Sequence, residues 1–311
     1  MPRFSVIIPL YNKENYIART IESVLTQEYS NFELIIVNDC STDNSLEIAK
    51  TIKDPRIKIL EHEKNKGLSA SRNTGIANST CEYLAFLDAD DIWKPEFLDK
   101  IDFLITTYSD ASLFATNYEV LLKNGKRISH EFGITNGNNH GIVSNFFKDN
   151  LTQTTYIPSG LAVKRCVFEE IGNYDETITY SEDVDFNIRA NANYKMAYYN
   201  EPQVIYTMAS ENQITQTSIK GKRIPNYDHY EDLYAGRKDV KRYLDFQRYI
   251  KAKLFKLSND METYNQLADN IDFNNLTWKQ RILIRLPRVL LKKVTDLRFF
   301  LQRKGIEINS Y

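Results

Sequence analysis

The chain has 311 residues, of which 42% are apolar, 26% charged and 12% aromatic, the composition of a globular protein rather than a disordered or fibrous one. Eleven glycines and eight prolines exclude collagen-like and Pro/Gly-rich low-complexity chains. A net charge of −1 gives no general attraction to nucleic acid.

The first part alternates in period. Phe4–Pro9, Phe32–Asp39, Ile57–Glu61 and Tyr83–Leu87 are β-branched or apolar runs of strand length. Between them, Glu14–Gln27 places Ile17, Ile21, Val24 and Leu25 at helical spacing. Ser41 or Thr42 is positioned to cap a helix carrying Leu46, Ile48, Ala49 and Ile52. Leu68–Asn78 is expected to be helical, and Pro95 suits the first turn of a helix running to about Thr107. Such an order predicts βαβ units and a mostly parallel sheet covered on both faces.

The pattern then loosens. Ala111–Leu122 reads as strand, and Asn124-Gly125 as a turn toward Arg127–Ile128. Phe132–Gly141 reads as loop. A turn and then a helix at Arg165–Ile171 are expected within 155–172. A helix at Glu182–Asn193 and short strands at Met196–Tyr199 and Val204–Thr207 follow. From Tyr227 onward the chain reads as helical. The polar stretch Lys220 to Pro225 marks a boundary, giving domains 1–222 and 223–311.

Three cysteines, Cys40, Cys81 and Cys166, lie far apart with no C-x-x-C. They argue against a disulfide framework or structural zinc and for a reduced, cytoplasmic setting. Val6–Leu10 is too short for a signal peptide and contains Pro9. No apolar run approaches the ~20 residues of a membrane-spanning helix.

In open α/β sheets, ligands sit at the carboxyl ends of the strands. Here those ends carry Pro9-Leu10-Tyr11-Asn12, Asn38-Asp39 and Asp88-Ala89-Asp90-Asp91. An aromatic ring with a nearby carboxylate suits a nucleobase, and an Asp-x-Asp-Asp suits a hard divalent cation. Arg72 adds donors for phosphate. A lone Asp at a strand end is ordinarily a cap or turn residue; the convergence of three ends points to a ligand. Competing motifs fail: there is no G-x-G-x-x-G and no phosphate-loop signature. Gly67–Ser71 lacks the closing Gly of a nucleophile elbow, and His130-Glu131 lacks the second His of a zinc protease. The four histidines are scattered and receive no role.

Six segments in order resemble an inverting glycosyltransferase of family 2 with the GT-A fold, of the bacterial surface-polysaccharide type. They are SVIIPLYN (5–12), IIVNDCSTD (35–43), NKGLSASRNTGI (65–76), FLDADD (86–91), SGLAVKRCVFEEIGNYDE (159–176) and SEDVDF (181–186). The resemblance implies that Pro9 and Tyr11 line the base pocket and that Asp39 binds the base, most simply uracil N3. Arg72 would lie near the base or diphosphate. Asp88 and Asp90 match the D-x-D pair, with Asp90 and Asp91 toward a Mn²⁺ or Mg²⁺ ion. Asp183 matches the catalytic base, with Asp185 as fallback. Ser159, Gly160 and Glu182 would form the acceptor and donor-sugar wall. The implied partners are a nucleotide-sugar donor, by this resemblance a UDP-sugar, and a glycan or lipid-linked saccharide acceptor. A non-catalytic glycan- or nucleotide-binding module on the same fold is the other class of reading; the presence of Asp39, Asp88, Asp90 and Asp183 speaks against it.

The tail is basic. Lys279–Lys304 holds nine Lys/Arg against one acid, Asp296. Leu283, Leu286, Leu290, Val294, Leu297 and Leu301 form one apolar stripe, with Pro287 placed to kink or split the helix. Residues 279–304 suit peripheral binding to an anionic membrane, or equally a helix packed on the rest of the protein. With only Phe299-Phe300 for stacking, they do not suit nucleic acid.

Overall fold

The computed structural model describes residues 3–129, 132–135, 138–208, 210–211, 213–214 and 217–303. His130, Glu131 and Lys304 lie outside them, as does the side chain of Leu301. The chain divides into two compact units: Met1–Ser144 with Thr155–Thr217, and Asn145–Thr154 with Ser218–Tyr311.

The first unit is built on β1 (Phe4–Leu10), β2 (Phe32–Asn38), β3 (Ile57–Glu61), β4 (Tyr83–Phe86), β5 (Ile92–Trp93), β6 (Leu113–Leu121), β7 (Arg127–Ser129), β8 (His140–Ile142), β9 (Leu161–Lys164) and β10 (Met196–Thr207). These form one sheet in the order β3-β2-β1-β4-β9-β6-β10-β5, with β7 beside β6 and β8 beside β10. On the main path β3, β2, β1, β4, β6 and β10 share one direction, while β9 and β5 run against it. The mostly parallel expectation therefore holds along that path, with an antiparallel strand at its centre.

The helices are α1 (Ile17–Leu25), α2 (Ser45–Thr51), α3 (Leu68–Ala77), α4 (Phe97–Thr107), α6 (Arg165–Ile171) and α7 (Glu182–Asn193), with α5 (Phe146–Asp149) in the second unit. Strand periodicity assigns their partners. Phe4, Val6, Ile8 and Leu10 of β1 join one buried cluster with Ile17, Ile21 and Val24 of α1 and Leu98, Ile101 and Leu104 of α4. Ile7 meets α3, where a Cβ built on Gly75 would lie 2.4 Å from Ile7 Cγ2. The absent side chain lets α3 lie close against β1, which brings Arg72 to the rim of the sheet.

Several elements differ from the sequence expectation. β9 is a strand, not a turn leading into helix. Its four residues Leu161–Lys164 are too few to show a period, yet Ala162 and Val163 are fully buried between β4 and β6. β8 begins within the segment read as loop and extends one residue beyond it. The two short strands at 196–207 are one strand with irregular register near Pro202. Ser41 and Thr42 do not cap α2; Asp43 Oδ1 instead accepts from Ser45 N at 2.9 Å. Pro95 precedes α4 rather than occupying its first turn.

The second unit is helical: α5, α8 (Tyr227–Leu233), α9 (Lys238–Leu257), α10 (Met261–Asp269), α11 (Trp278–Arg285) and α12 (Arg288–Arg303). Phe246, Tyr249 and Ala252 of α9 share a core with Ile271, Leu276 and Ile284. Thr277 and Gln280 close a capping box on α11, and Pro287 separates α11 from α12. The expected stripe is not a packing face throughout. Leu291 is buried, whereas Val289, Leu290, Val294 and Leu297 are exposed. Among the described residues, no helix is long and apolar enough to cross a membrane.

Candidate active site

The carboxyl ends of β1, β2 and β4 meet at one rim of the first unit. After β1 the chain turns through Asn12, a non-glycine residue at φ 50°. Asn12 N donates to Ser41 Oγ at 3.2 Å, and its Oδ1 accepts from Thr42 N at 2.8 Å. Ser41 and Thr42 are thus used to join the two strand ends. Pro9 is buried opposite Val37, just beyond the last β1–β4 pair, Ile7 with Phe86. A residue without an N–H is tolerated there because the ladder on that side has ended. Tyr11 is 42% exposed and makes no hydrogen bond with the described residues, leaving its ring face open.

Asp39 is almost fully enclosed. Its Oδ1 accepts from Lys66 N at 2.8 Å and lies 2.7 Å from His62 Nδ1; its Oδ2 accepts from Gly67 N at 2.8 Å. Gly67 at φ 93° provides the left-handed backbone for this approach. His62 received no role from the sequence. Its one signal was its position directly after β3, the fourth parallel strand end at this rim.

Arg72, on α3, is 1% exposed. It donates to Asp88 Oδ1 at 2.9 Å and to Glu182 Oε1 at 2.8 Å, over the ring of Tyr174. Burial opposes its charge, but Asp88, Tyr174 and Glu182 more than restore it and hold its pKa above the ordinary arginine value. Partial burial pushes the Asp88 carboxyl up; Arg72 opposes this, while Asp90 and Asp183 add to it. Burial also raises Glu182, with Asp183 adding to the rise and Arg72 opposing it.

The acidic turn after β4 divides its work. Asp90 Oδ2 pairs with Lys13 Nζ at 2.8 Å and accepts from Ser210 Oγ. Oδ1 has no hydrogen-bond partner among the described residues. Asp91 is 1% exposed and turned inward, with Oδ2 accepting from Ser159 Oγ at 2.6 Å and Oδ1 from Thr207 N at 3.0 Å. Burial, with Asp90 and Asp88 nearby, raises its carboxyl well above the usual range. These bonds tie the turn to β10 and occupy both oxygens, unlike the metal contact expected of Asp91. Ser159 is also fully buried. Its hydroxyl supports the turn from beneath, accepting from Asp88 N at 3.1 Å, so it is not an open sugar wall. A Cβ on Gly160 would lie 3.2 Å from Thr116 O, so its lack of a side chain serves packing too.

Asp183 opens α7, whose N-cap Ser181 is held in the left-handed region at φ 66°. Asp183 is half-buried, and its carboxylate makes no hydrogen bond or ion pair with the described residues. Asp185, the fallback base, is 4% exposed and paired with Arg189 at 2.8 Å.

Among the described residues, the cations paired with the rim carboxylates are Arg72, with Asp88 and Glu182, and Lys13, with Asp90. Burial is the main reason the Asp88 and Glu182 carboxyls are raised, with the neighbouring carboxylates Asp90 and Asp183 adding to it. Oxygen donors that include unpartnered carboxylate oxygens, Asp90 Oδ1 among them, fit Mg²⁺ or Mn²⁺, which commonly takes one or two carboxylates and completes its shell with substrate phosphate and water. Among the described residues, no group of three His, Cys, Asp or Glu forms a ready protein cage.

Comparison with known proteins places this geometry. The model of glycosyl transferase family 2 matches residues 5–172. GlyA of Streptococcus pneumoniae, a glycosyltransferase, is 42% identical over 118 residues, covering 37% of this chain and 17% of that protein. WfgD of Escherichia coli, a UDP-Glc:α-D-GlcNAc-diphosphoundecaprenol β-1,3-glucosyltransferase, is 38% identical over 120 residues, covering 39% of this chain and 47% of WfgD. The chain thus spans less than half the length of either relative. The structure of S. aureus TarS 1–349 with UDP-GlcNAc aligns with a TM-score of 0.58 at 18% identity, covering 90% of this chain and 77% of that one. That likeness shows a shared fold, the GT-A architecture. The family match extends over more than half of the sequence, from β1 through α6: the chain belongs to glycosyl transferase family 2.

Proposed function

We propose that this protein is an inverting glycosyltransferase. It would move a sugar from a nucleoside-diphosphate donor, a UDP-sugar, to a glycan or lipid-linked saccharide. The observation that carries the reading is Asp183, whose carboxylate makes no hydrogen bond or ion pair with the described residues, close to Asp88 at the rim that also holds Tyr11 and Asp39. The UDP-GlcNAc in the TarS structure and the donor and lipid-diphosphate acceptor in the WfgD name support the substrate classes.

In this reading Tyr11 stacks on the base beside the buried Pro9, and Asp39 accepts from a base N–H. Arg72 keeps Asp88 and Glu182 in place behind the diphosphate. The acceptor hydroxyl oxygen attacks the anomeric carbon as the bond to the diphosphate oxygen breaks, and that electron pair leaves with the nucleotide. Asp183 takes the hydroxyl proton. A divalent cation, held by Asp90 and Asp88 with the diphosphate, would supply the charge that favours this leaving group. Asp91 and Ser159 support the acidic turn from below, and Gly160 leaves room beside Thr116. Glu182 is the remaining member of the sugar wall, held by Arg72.

The second unit adds a membrane proposal. The exposed Val289, Leu290, Val294 and Leu297 lie among Arg288, Lys292 and Lys293. An apolar surface with a basic rim suits peripheral attachment to an anionic, cytoplasmic membrane face, where a lipid-linked acceptor would be found.

The test is Asp183→Asn. We expect nucleotide release from UDP-sugars in the presence of saccharide acceptors to be lost, with UDP affinity unchanged by calorimetry. Normal turnover by that variant would remove the assignment.

A further inference from the structure

We propose that His62 is a positioning residue for base recognition. It holds Asp39 as a pure acceptor, so that the site favours a base presenting a ring N–H, such as uracil, over cytosine. The inference rests on the reading that Asp39 meets the base, and it assigns the source of that selectivity.

The geometry is a three-residue chain across β2, the loop after β3, and α3. His62 Nδ1 lies 2.7 Å from Asp39 Oδ1, and His62 Nε2 lies 2.8 Å from Thr74 Oγ1. The histidine and aspartate side chains are 5% and 4% exposed. Each Asp39 oxygen already accepts from a backbone N–H, Oδ1 from Lys66 and Oδ2 from Gly67. With both oxygens accepting, the proton between the ring and Oδ1 belongs to Nδ1. In the neutral ring Nε2 is then an acceptor, matched to the Thr74 hydroxyl.

Two donors fill Oδ1 and one fills Oδ2. A carboxylate has about four acceptor directions, so the remaining capacity is on Oδ2. His62 thereby fixes which oxygen is free and keeps it an acceptor. Uracil offers N3–H to such an oxygen. Neutral cytosine offers only a lone pair at N3, and two acceptors facing each other leave both unsatisfied. This use is distinct from packing: a packing residue would affect binding of all nucleotides alike, whereas His62 should change the ratio between them.

The experiment is calorimetric titration of UDP and CDP into the full chain and its variants, with thermal melting to register folding. His62→Ala should weaken UDP about tenfold, the scale of one hydrogen bond to a charged group, and lower the UDP-to-CDP affinity ratio. His62→Asn, whose amide can take the place of Nδ1–H, should retain that ratio. His62→Gln, which reaches toward the Nε2 position instead, should lose it. Equal behaviour of the Asn and Gln variants, or equal loss of UDP and CDP in His62→Ala, would overturn the inference. The Asn–Gln comparison stands even if the Ala variant does not fold. Asp39→Asn separates the two levels. If it leaves UDP affinity unchanged, the base reading itself fails; if it abolishes UDP binding while the His62 variants keep wild-type selectivity, only the positioning role fails.

Discussion

Arg72→Met tests the electrostatic arrangement of the rim. It removes a guanidinium that is 1% exposed and bonded to two carboxylates, Asp88 at 2.9 Å and Glu182 at 2.8 Å. Breaking a buried ion pair from one side costs about 3–5 kcal/mol, because the abandoned charge remains. The Asp88 side chain keeps 31% exposure and can hydrate, whereas Glu182 keeps 10%. The lower end, about 3 kcal/mol, is therefore expected at pH 7.5. With a urea slope of ~2–3 kcal/mol/M, the midpoint should fall by about 1 M. The cost should also depend on pH. Both carboxyls are raised even beside Arg72, and without it they rise further. A carboxyl with a folded pKa above its unfolded value binds its proton more readily in the folded state. The penalty is then full above the folded pKa and shrinks as pH falls toward about 4. Trp93 provides the probe: it is 2% exposed in the first unit, stacked on Phe97, with Nε1 donating to Ser159 O at 2.6 Å. The only other tryptophan, Trp278, is 67% exposed in the second unit and can be replaced by Phe to isolate the signal. A midpoint shift below about 0.3 M at pH 7.5, or an equal loss at pH 7.5 and about pH 4, would refute the reasoning.

Away from the rim, Arg56 holds Asp54 through Nε at 2.9 Å and Nη2 at 2.8 Å and lowers its pKa to about 2. This depressed carboxyl contributes stability above its unfolded pKa of about 3.9, lost as pH falls through its folded value. Solvent screening limits the effect, so Asp54→Asn should cost about 0.5–1 kcal/mol at neutral pH. The difference should close between about pH 4 and pH 2, and a gap persisting at pH 2 would contradict this. On the tail, replacing the exposed Leu290, Val294 and Leu297 by Ser should abolish co-sedimentation with anionic liposomes and leave melting unchanged. Equal recovery of variant and wild type in the supernatant would count against the membrane proposal.

The legible parts of the fold are those with a repeated physical signal. β1, β2 and β3 are β-branched runs of sheet length, and α7 follows a clear helical pattern. β9 was obscured because a four-residue strand shows no period and borders a helix. α3 carries little amphipathic signal: its first turns are buried nearly all round through Ser69, Ala70, Ser71 and Arg72, which supply close approach and charge rather than apolar bulk. At the site, residue types showed that acids converge, but not which oxygens remain available. Asp91 and Ser159 are used inward, Asp185 is held by Arg189, and only coordinates reveal this. Lys13 and His62 went unassigned because each lies just past a strand, Lys13 three residues beyond β1 and His62 one beyond β3, and neither type alone distinguishes surface charge from a built contact.

The central claim is that this rim binds a nucleoside diphosphate together with a cation. The most direct measurement is calorimetric titration of UDP, GDP, dTDP and CDP into the intact chain, each with and without Mn²⁺. The account predicts that UDP binds most tightly, that Mn²⁺ strengthens its binding, and that Asp90→Ala loses the strengthening. Folded protein that binds none of the four nucleotides, with or without the metal, would contradict it.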